Sequence, residues 1–329
     1  MDWGFILEVS ARSLVGQEAV VYALAAIGLN VQFGYTGLLN FGQAAFAAIA
    51  GYGLASMVAT FGLPFWTGLV VGLAGALVLA MLLGIPTLRL RADYLAIVTI
   101  AASEIVRQIF RSSTLRDTFG GSDGLTGFTT TFFDLNPYSD SVGFGPWTYS
   151  ARTAWVLTVG WALVLLSCLV VWALMRSPWG RVLKAVREDE DAVRSLGKNV
   201  YAYKMQSLAL GGFFGALAGF MFSIANAAIQ PDLYHPTFTF FAYTILILGG
   251  AARVFSPVVG AMIFWFLLQF IDLFLSNAIR ADVFPFSLMS PTQTSPVRFM
   301  IVGLILILLL VFRPQGIFGN RKELVFDVR

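Results

Sequence analysis

The chain has 329 residues, of which 58% are hydrophobic and 12% charged, with a mean hydropathy of +0.79. Soluble domains carry about 25% charged residues and cannot bury this much apolar surface, so the composition excludes a soluble globular protein and predicts an integral one of the lipid bilayer. The net charge of +3 gives no indication of a nucleic-acid partner, and the single cysteine, Cys168, excludes an intrachain disulfide and suggests no metal cluster.

Residues 1–17 carry Asp2 and Glu8 where a secretory leader would be basic, and no compact apolar core precedes a small-residue cleavage site, so this start does not read as a cleaved signal peptide. Residues 19–88 then contain no Asp, Glu, Lys or Arg. A spanning helix needs about 20 such residues, so this stretch has room for about three passes. Residues 94–110 begin apolar and then carry Glu104 and Arg107, three apart on one helical face, where each offsets the other's desolvation. Residues 112–152 are polar and turn-rich, with Asp117, Asp123, Asp134 and Asp140.

Two further charge-free spans, 153–175 and 205–230, flank a charged segment, 177–204. Residues 233–252 are charge-free but contain Pro236 and end in Gly249-Gly250, which fits either a full pass or a re-entrant one. His235, the only histidine, reads as an interfacial loop residue. Residues 257–279 are interrupted only by Asp272, and 299–312 can be lengthened by Arg298 and Arg313 snorkelling to the two interfaces. The predicted fold is all-α, a polytopic transmembrane helix bundle of about eight to ten segments. One domain covers 1–329, with an external loop at 112–152, a cytoplasmic loop at 177–204 and a cytoplasmic tail at 313–329. Grouping 177–204 with Arg89, Arg91, Arg253 and the tail collects most Lys and Arg on one side, which marks it as cytoplasmic and predicts an external N-terminus.

Within 177–204, Ser177 suits an N-cap and Pro178 a first helical position, and Val182, Ala185, Val186, Ala192, Val193 and Leu196 make an interrupted apolar stripe. The acidic run 188–191 belongs at the start of a second helix, where negative charge meets the positive dipole end, and Gly197 stops it. Two short helices with a bend near Glu188 are therefore expected. Two glycine-containing regions, 34–53 and 249–260, permit broken helices whose freed backbone lines a cavity, or close helix packing through Gly and Ala. In the first case Tyr35, Thr36, Asn40 and Gln43 are candidate polar groups along a translocation path. No residue is a candidate for catalysis or for metal binding.

The run Gly180-Arg181-x-Leu183-x-Ala185-x-Arg187-Glu188, with Leu196-Gly197 after it, resembles the cytoplasmic loop of the membrane subunits of ABC importers of the branched-chain amino acid class. Gly28-Leu29-Asn30, Gly34-Tyr35-Thr36-Gly37, 40–46, 88–99, 120–125 and 248–261 resemble motifs of the same family in the same order, over about 20–318. Gln43 stands where the family pattern has His, so no proton-linked role is assigned there. The resemblance implies a permease subunit of the prokaryotic plasma membrane that forms the path for branched-chain or other apolar amino acids. Its implied partners are a second permease subunit, two cytosolic ATPase subunits and an extracytoplasmic solute-binding protein. ATP and Mg would be bound by those ATPases. In agreement, Gly197-Lys198 lacks the glycine pattern of a phosphate-cradling loop. Arg181, Lys184, Arg187, Glu188 and Asp189 are then the expected ATPase contacts, a polar rim around apolar anchors. Alternatives are an ABC permease for urea or short amides, an ion-coupled carrier using Glu104 or Asp272, and a channel-like protein without energy coupling.

Overall fold

A computed structural model describes residues 3–88, 92–144, 147–280, 294–313 and 315–319. Arg89 and Arg91, and the tail beyond Gly319, lie outside the described residues. Helix α1 (Trp3–Ser13) leads to α2 (Gln17–Leu29), which continues as a π-helical stretch, Asn30–Tyr35. After a non-helical break come α3 (Gln43–Ala55) with its π-helical end Ser56–Thr60, α4 (Phe65–Thr87) and α5 (Ala92–Arg111). The following segment holds α6 (Arg116–Phe119), β1 (Leu125–Thr126), α7 (Thr130–Asp134) and a hairpin of β2 (Val142–Phe144) and β3 (Trp147–Tyr149). Then follow α8 (Ala151–Arg176), α9 (Pro178–Glu188), α10 (Glu190–Ser195), α11 (Val200–Asn226), β4 (Ala228–Ile229), α12 (Thr237–Gly249), α13 (Ser256–Arg280) and α14 (Thr294–Phe312).

Six of these helical runs are long and apolar enough to cross a bilayer, the run Trp3–Tyr35 counting as one. Helices α5, α12 and α14 pack among them. The bundle is organised around α2, α3 and α11. Every residue of α2 from Ala19 to Leu29 is buried, as expected of a helix apolar on all sides. Helix α4 is apolar all round but sorted by size: Gly68, Gly72, Ala76 and Ala80 are buried at four-residue spacing, whereas Trp66, Val70, Leu77 and Leu82 are exposed. Large residues meet lipid and small ones let neighbouring backbones approach. Helix α5 turns a polar stripe, Thr99, Ser103 and Arg107, into the protein and exposes Ile97, Ile105 and Ile109. That inward stripe is why its hydropathy is weak.

The small-residue rule is strictest on α11. A Cβ on Gly219 would sit 2.0 Å from the Ala47 carbonyl oxygen, and one on Gly215 2.7 Å from Gln43 Nε2. Both lie where α11 meets α3.

The two ends of the bundle differ. At one, α9 and α10, the break after Tyr35, the 250–255 turn and residues 315–319 come together; Ile317 and Phe318 donate backbone hydrogen bonds to the carbonyls of Leu248 and Gly249. At the other, β1 pairs antiparallel with β4, Thr60 Oγ1 donates to the Thr118 carbonyl, and Arg12 donates to that of Thr148. The Gly120–Gly124 motif is a packed corner at this end: its three glycines, Gly120, Gly121 and Gly124, all have positive φ, and a Cβ on Gly124 would sit 1.9 Å from the Ile229 carbonyl oxygen. It leads into β1 rather than into a helix.

Gly219→Ala should lower the thermal stability of the detergent-solubilised protein by roughly 1–3 kcal/mol equivalent, because the helices must separate. Gly303→Ala in α14, with nothing within 4 Å of its added Cβ, should leave stability unchanged or slightly raised. Fluorescence-detected size exclusion after a temperature series measures both; equal losses would overturn this account of the packing.

Candidate coupling site

The bend expected near Glu188 occurs at Asp189, which lies between α9 and α10 in extended backbone. Its carboxylate accepts from the amides of Asp191 and Ala192 and so caps α10, at 2.9 and 3.0 Å. Ser177 stands at the N-cap of α9 with Pro178 following it, as read from the sequence, but its hydroxyl makes no capping bond and donates back to the Leu174 carbonyl, closing α8 instead. The sharp turn from α8 into α9 needs Gly180, where a Cβ would be 2.5 Å from Met175 Cα. Helix α9 then buries Leu183 and Val186, the latter in a small cluster with Val193 and Val200 that joins α9, α10 and α11. An ion pair between Glu190 and Lys204 repeats this junction in polar form.

Of the residues expected to face an ATPase, Arg181, Lys184, Glu188 and Asp189 are exposed. Arg187 turns the other way. Its guanidinium donates to the Gly34 carbonyl, and its stem lies beside Gly37, whose φ of +76° only glycine adopts without strain. Lys184 extends over the ring of Tyr35, 5.7 Å from its centroid. Helix α9 therefore grips the π-helical stretch at the end of α2.

That stretch is also held from its other sides. Asn30 donates to the Arg253 carbonyl at 2.8 Å and accepts from the Ala252 amide at 2.9 Å, fixing the break after α2 to the break after α12. Gln32 donates to the Leu208 carbonyl at 3.0 Å and accepts from Asn40 at 2.9 Å. Thr36 lies 2.7 Å from the Ser207 hydroxyl, and Tyr243 donates to the Asn40 carbonyl at 3.0 Å. Gln43 Nε2 donates to the carbonyls of Gly211 and Ala25, at 3.1 and 3.3 Å. The Phe41 amide donates to Thr99 on α5.

The four polar residues expected along a translocation path, Tyr35, Thr36, Asn40 and Gln43, are thus brought together, each at most 2% exposed, in one packed polar lattice. Asn30, named in the sequence only as the end of a family-like motif, and Gln32, not named there, carry the lattice to α12 and α11. Both are amide side chains inside an otherwise apolar span, and that was the available signal.

The two acids considered for ion coupling are already paired. Glu104 forms a two-pronged contact with Arg107 at 2.7 and 2.9 Å, and Arg107 also reaches Asp232 at 2.6 Å. Asp272 pairs with Arg298 at 3.1 Å, so Arg298 ties α14 to α13 rather than only snorkelling outward. Among the described residues no group of three or more His, Cys, Asp or Glu is arranged to hold a metal ion.

Asn30→Leu would orphan the Ala252 amide and the Arg253 carbonyl together, at about 1–3 kcal/mol for each group left without a partner. Hydrogen exchange followed by mass spectrometry should show faster exchange confined to 250–255 and the stretch after Leu29. Unchanged exchange there would show that the amide does not hold the two breaks together.

Residues 15–311 match the profile of a family described as the permease component of the branched-chain amino acid transport system. The chain is 32% identical to the high-affinity branched-chain amino acid transport system permease protein LivM of Salmonella typhimurium over 333 residues, 96% of this chain and 71% of that one. It is 32% identical to LivM of Escherichia coli, covering 91% and 68%. A probable branched-chain amino acid transport permease protein LivM of Methanocaldococcus jannaschii is 27% identical, covering 92% and 91%. A shorter similarity, 28% over 120 residues, links it to LsrC, the autoinducer 2 import system permease protein of Escherichia coli.

Proposed function

The chain belongs to the family of branched-chain amino acid transport permease components, and we propose that it is one membrane subunit of an ATP-driven importer whose α9 delivers the work of separate ATPases to the polar lattice. As a permease component it is a multi-pass membrane protein and not an enzyme. In this reading the cation-rich end faces the cytoplasm of a prokaryotic cell, two ATPase subunits carrying ATP and Mg bind there, and a solute-binding protein docks on the opposite face. A second permease subunit completes the path. The solute is an amino acid with an aliphatic side chain, which suits the predominantly apolar bundle and the named transport of the relatives.

The observation that carries this reading is the two-sidedness of α9. One side presents Arg181 and Glu188 to solvent, with Asp189 exposed at the bend just beyond, a rim able to meet a charged partner surface. The other inserts Arg187 into the break after α2. A push on the rim is passed through a short helix, anchored by Leu183 and Val186, to the Gly34 carbonyl. From there the polar lattice reaches α11 through Gln32 and Ser207, and α12 through Tyr243. Tyr35, Thr36, Asn40 and Gln43 in this reading line the path when the lattice opens. The coupling is mechanical and needs no titrating group.

Two variants separate the two sides of α9 in the assembled transporter. Arg181→Glu with Glu188→Arg should weaken ATPase association about tenfold and change its salt dependence. Arg187→Met keeps the stem but removes the donors, so association should persist while solute-stimulated ATP hydrolysis falls at least tenfold. Full stimulation in Arg187→Met would refute the coupling route. Failure of the wild-type chain to co-purify with any ATPase would refute the importer reading as a whole.

A further inference from the structure

A hollow of about 520 Å³ opens at the cation-rich end between the last turn of α8, α9 and the 250–256 turn. Its wall joins three cationic residues, Arg176, Lys184 and Arg253, to the aromatic rings of Trp172, Phe255 and Phe318. No Asp or Glu lines it among the described residues, and none of the three cations pairs with a described carboxylate. Two of them rest on rings instead: Arg176 lies 4.2 Å over Trp172, and Lys184 stands over Tyr35. Three exposed positive groups around one hollow, without a compensating acid, are suited to an anionic ligand.

The neighbouring surface says which kind. Above Arg176, Trp172, Leu169 and Leu165 follow one another on one face of α8 at three- and four-residue spacing, and they are 41%, 50% and 58% exposed. They form a continuous apolar track that runs from the basic hollow along the helix into the depth of the bilayer. A molecule that uses both parts has a negative head and a long apolar tail. We propose that the hollow seats the phosphodiester headgroup of an anionic phospholipid of the adjoining leaflet, with its acyl chains along Trp172, Leu169 and Leu165. The cationic residues choose the headgroup, and the aromatic ring at the top of the hollow marks the interface where head and tail meet. The site shares Lys184 and Tyr35 with the coupling route, but Arg176 and the Arg253 side chain, the two groups altered in the test, take no part in that route.

The test uses the full chain in nanodiscs of a zwitterionic lipid, doped with phosphatidylglycerol or phosphatidylcholine carrying brominated acyl chains. Subtracting the fluorescence of Trp172→Phe isolates quenching of Trp172. A basic group near such a surface is worth about fivefold, so the anionic lipid should quench at roughly 25- to 100-fold lower mole fraction than the zwitterionic one. In Arg176→Gln with Arg253→Gln the preference should fall by about 25-fold. For the unaltered chain, about 1 M salt, which shortens the screening length to ~3 Å, should also suppress it, and this arm requires no variant to fold. Equal quenching by the two lipids, or a preference that survives both the double substitution and the salt, overturns the proposal. Relief of quenching by millimolar inorganic phosphate overturns it too, because the hollow would then be a site for a soluble anion.

Discussion

Helix α2 stops being an α-helix at Asn30, among residues buried in the bundle, where freed backbone groups need partners from within the protein. Much of the architecture at that end answers this one constraint. The Gly34 carbonyl is met by Arg187, the Ala252 amide and Arg253 carbonyl of the facing break are met by Asn30, and the turn between the break and α3 is met by Gln32, Thr99 and Tyr243. These partners come from four elements, so satisfying the backbone also ties the stretch after α2 to α5, α9 and α12, and Gln32 carries the tie on to α11 through the Leu208 carbonyl. A polar group buried in low dielectric is costly to leave unpaired, and a lattice whose members share partners tends to change as a unit.

Helix α11 supplies the other half of the arrangement. Its glycines remove the side-chain layer that would otherwise separate it from α2 and α3, so that amides such as Gln32 and Gln43 reach its backbone carbonyls directly. In lipid there is no hydrophobic drive between helices, and close backbone approach with inter-helical hydrogen bonds takes its place. The same logic explains why α4 sorts its residues by size and α5 by polarity, with the bulky apolar groups pointing outward in both.

The membrane class, the charge-free spans and the bend between α9 and α10 were legible in the sequence because each depends on local chemistry: composition, length, and acids placed where a helix begins. The inward turn of Arg187 was not legible. Periodicity places it beside Lys184 on one face of a helix, but only the position of the Gly34 carbonyl beneath that face decides which of the two turns in. The pairing of Asp272 with Arg298 was hidden for a similar reason, since it joins two helices whose connection leaves no periodic trace. Ser177 shows the limit of a capping rule: two backbone ends competed for one hydroxyl, and the end of α8 took it.

Helix α11 runs unbroken from Val200, beside α9 and α10, to Asn226, where β4 pairs with β1 at the far end. At about 1.5 Å per residue it is a rod of some 40 Å with a fixed joint at each tip. Where such a rod shifts as one piece, linkage requires that whatever free energy a ligand on one face contributes to the shift, a ligand on the other face feels in equal measure. The direction of signalling is then a property of the ligands and their concentrations, and the protein itself has no preferred sense.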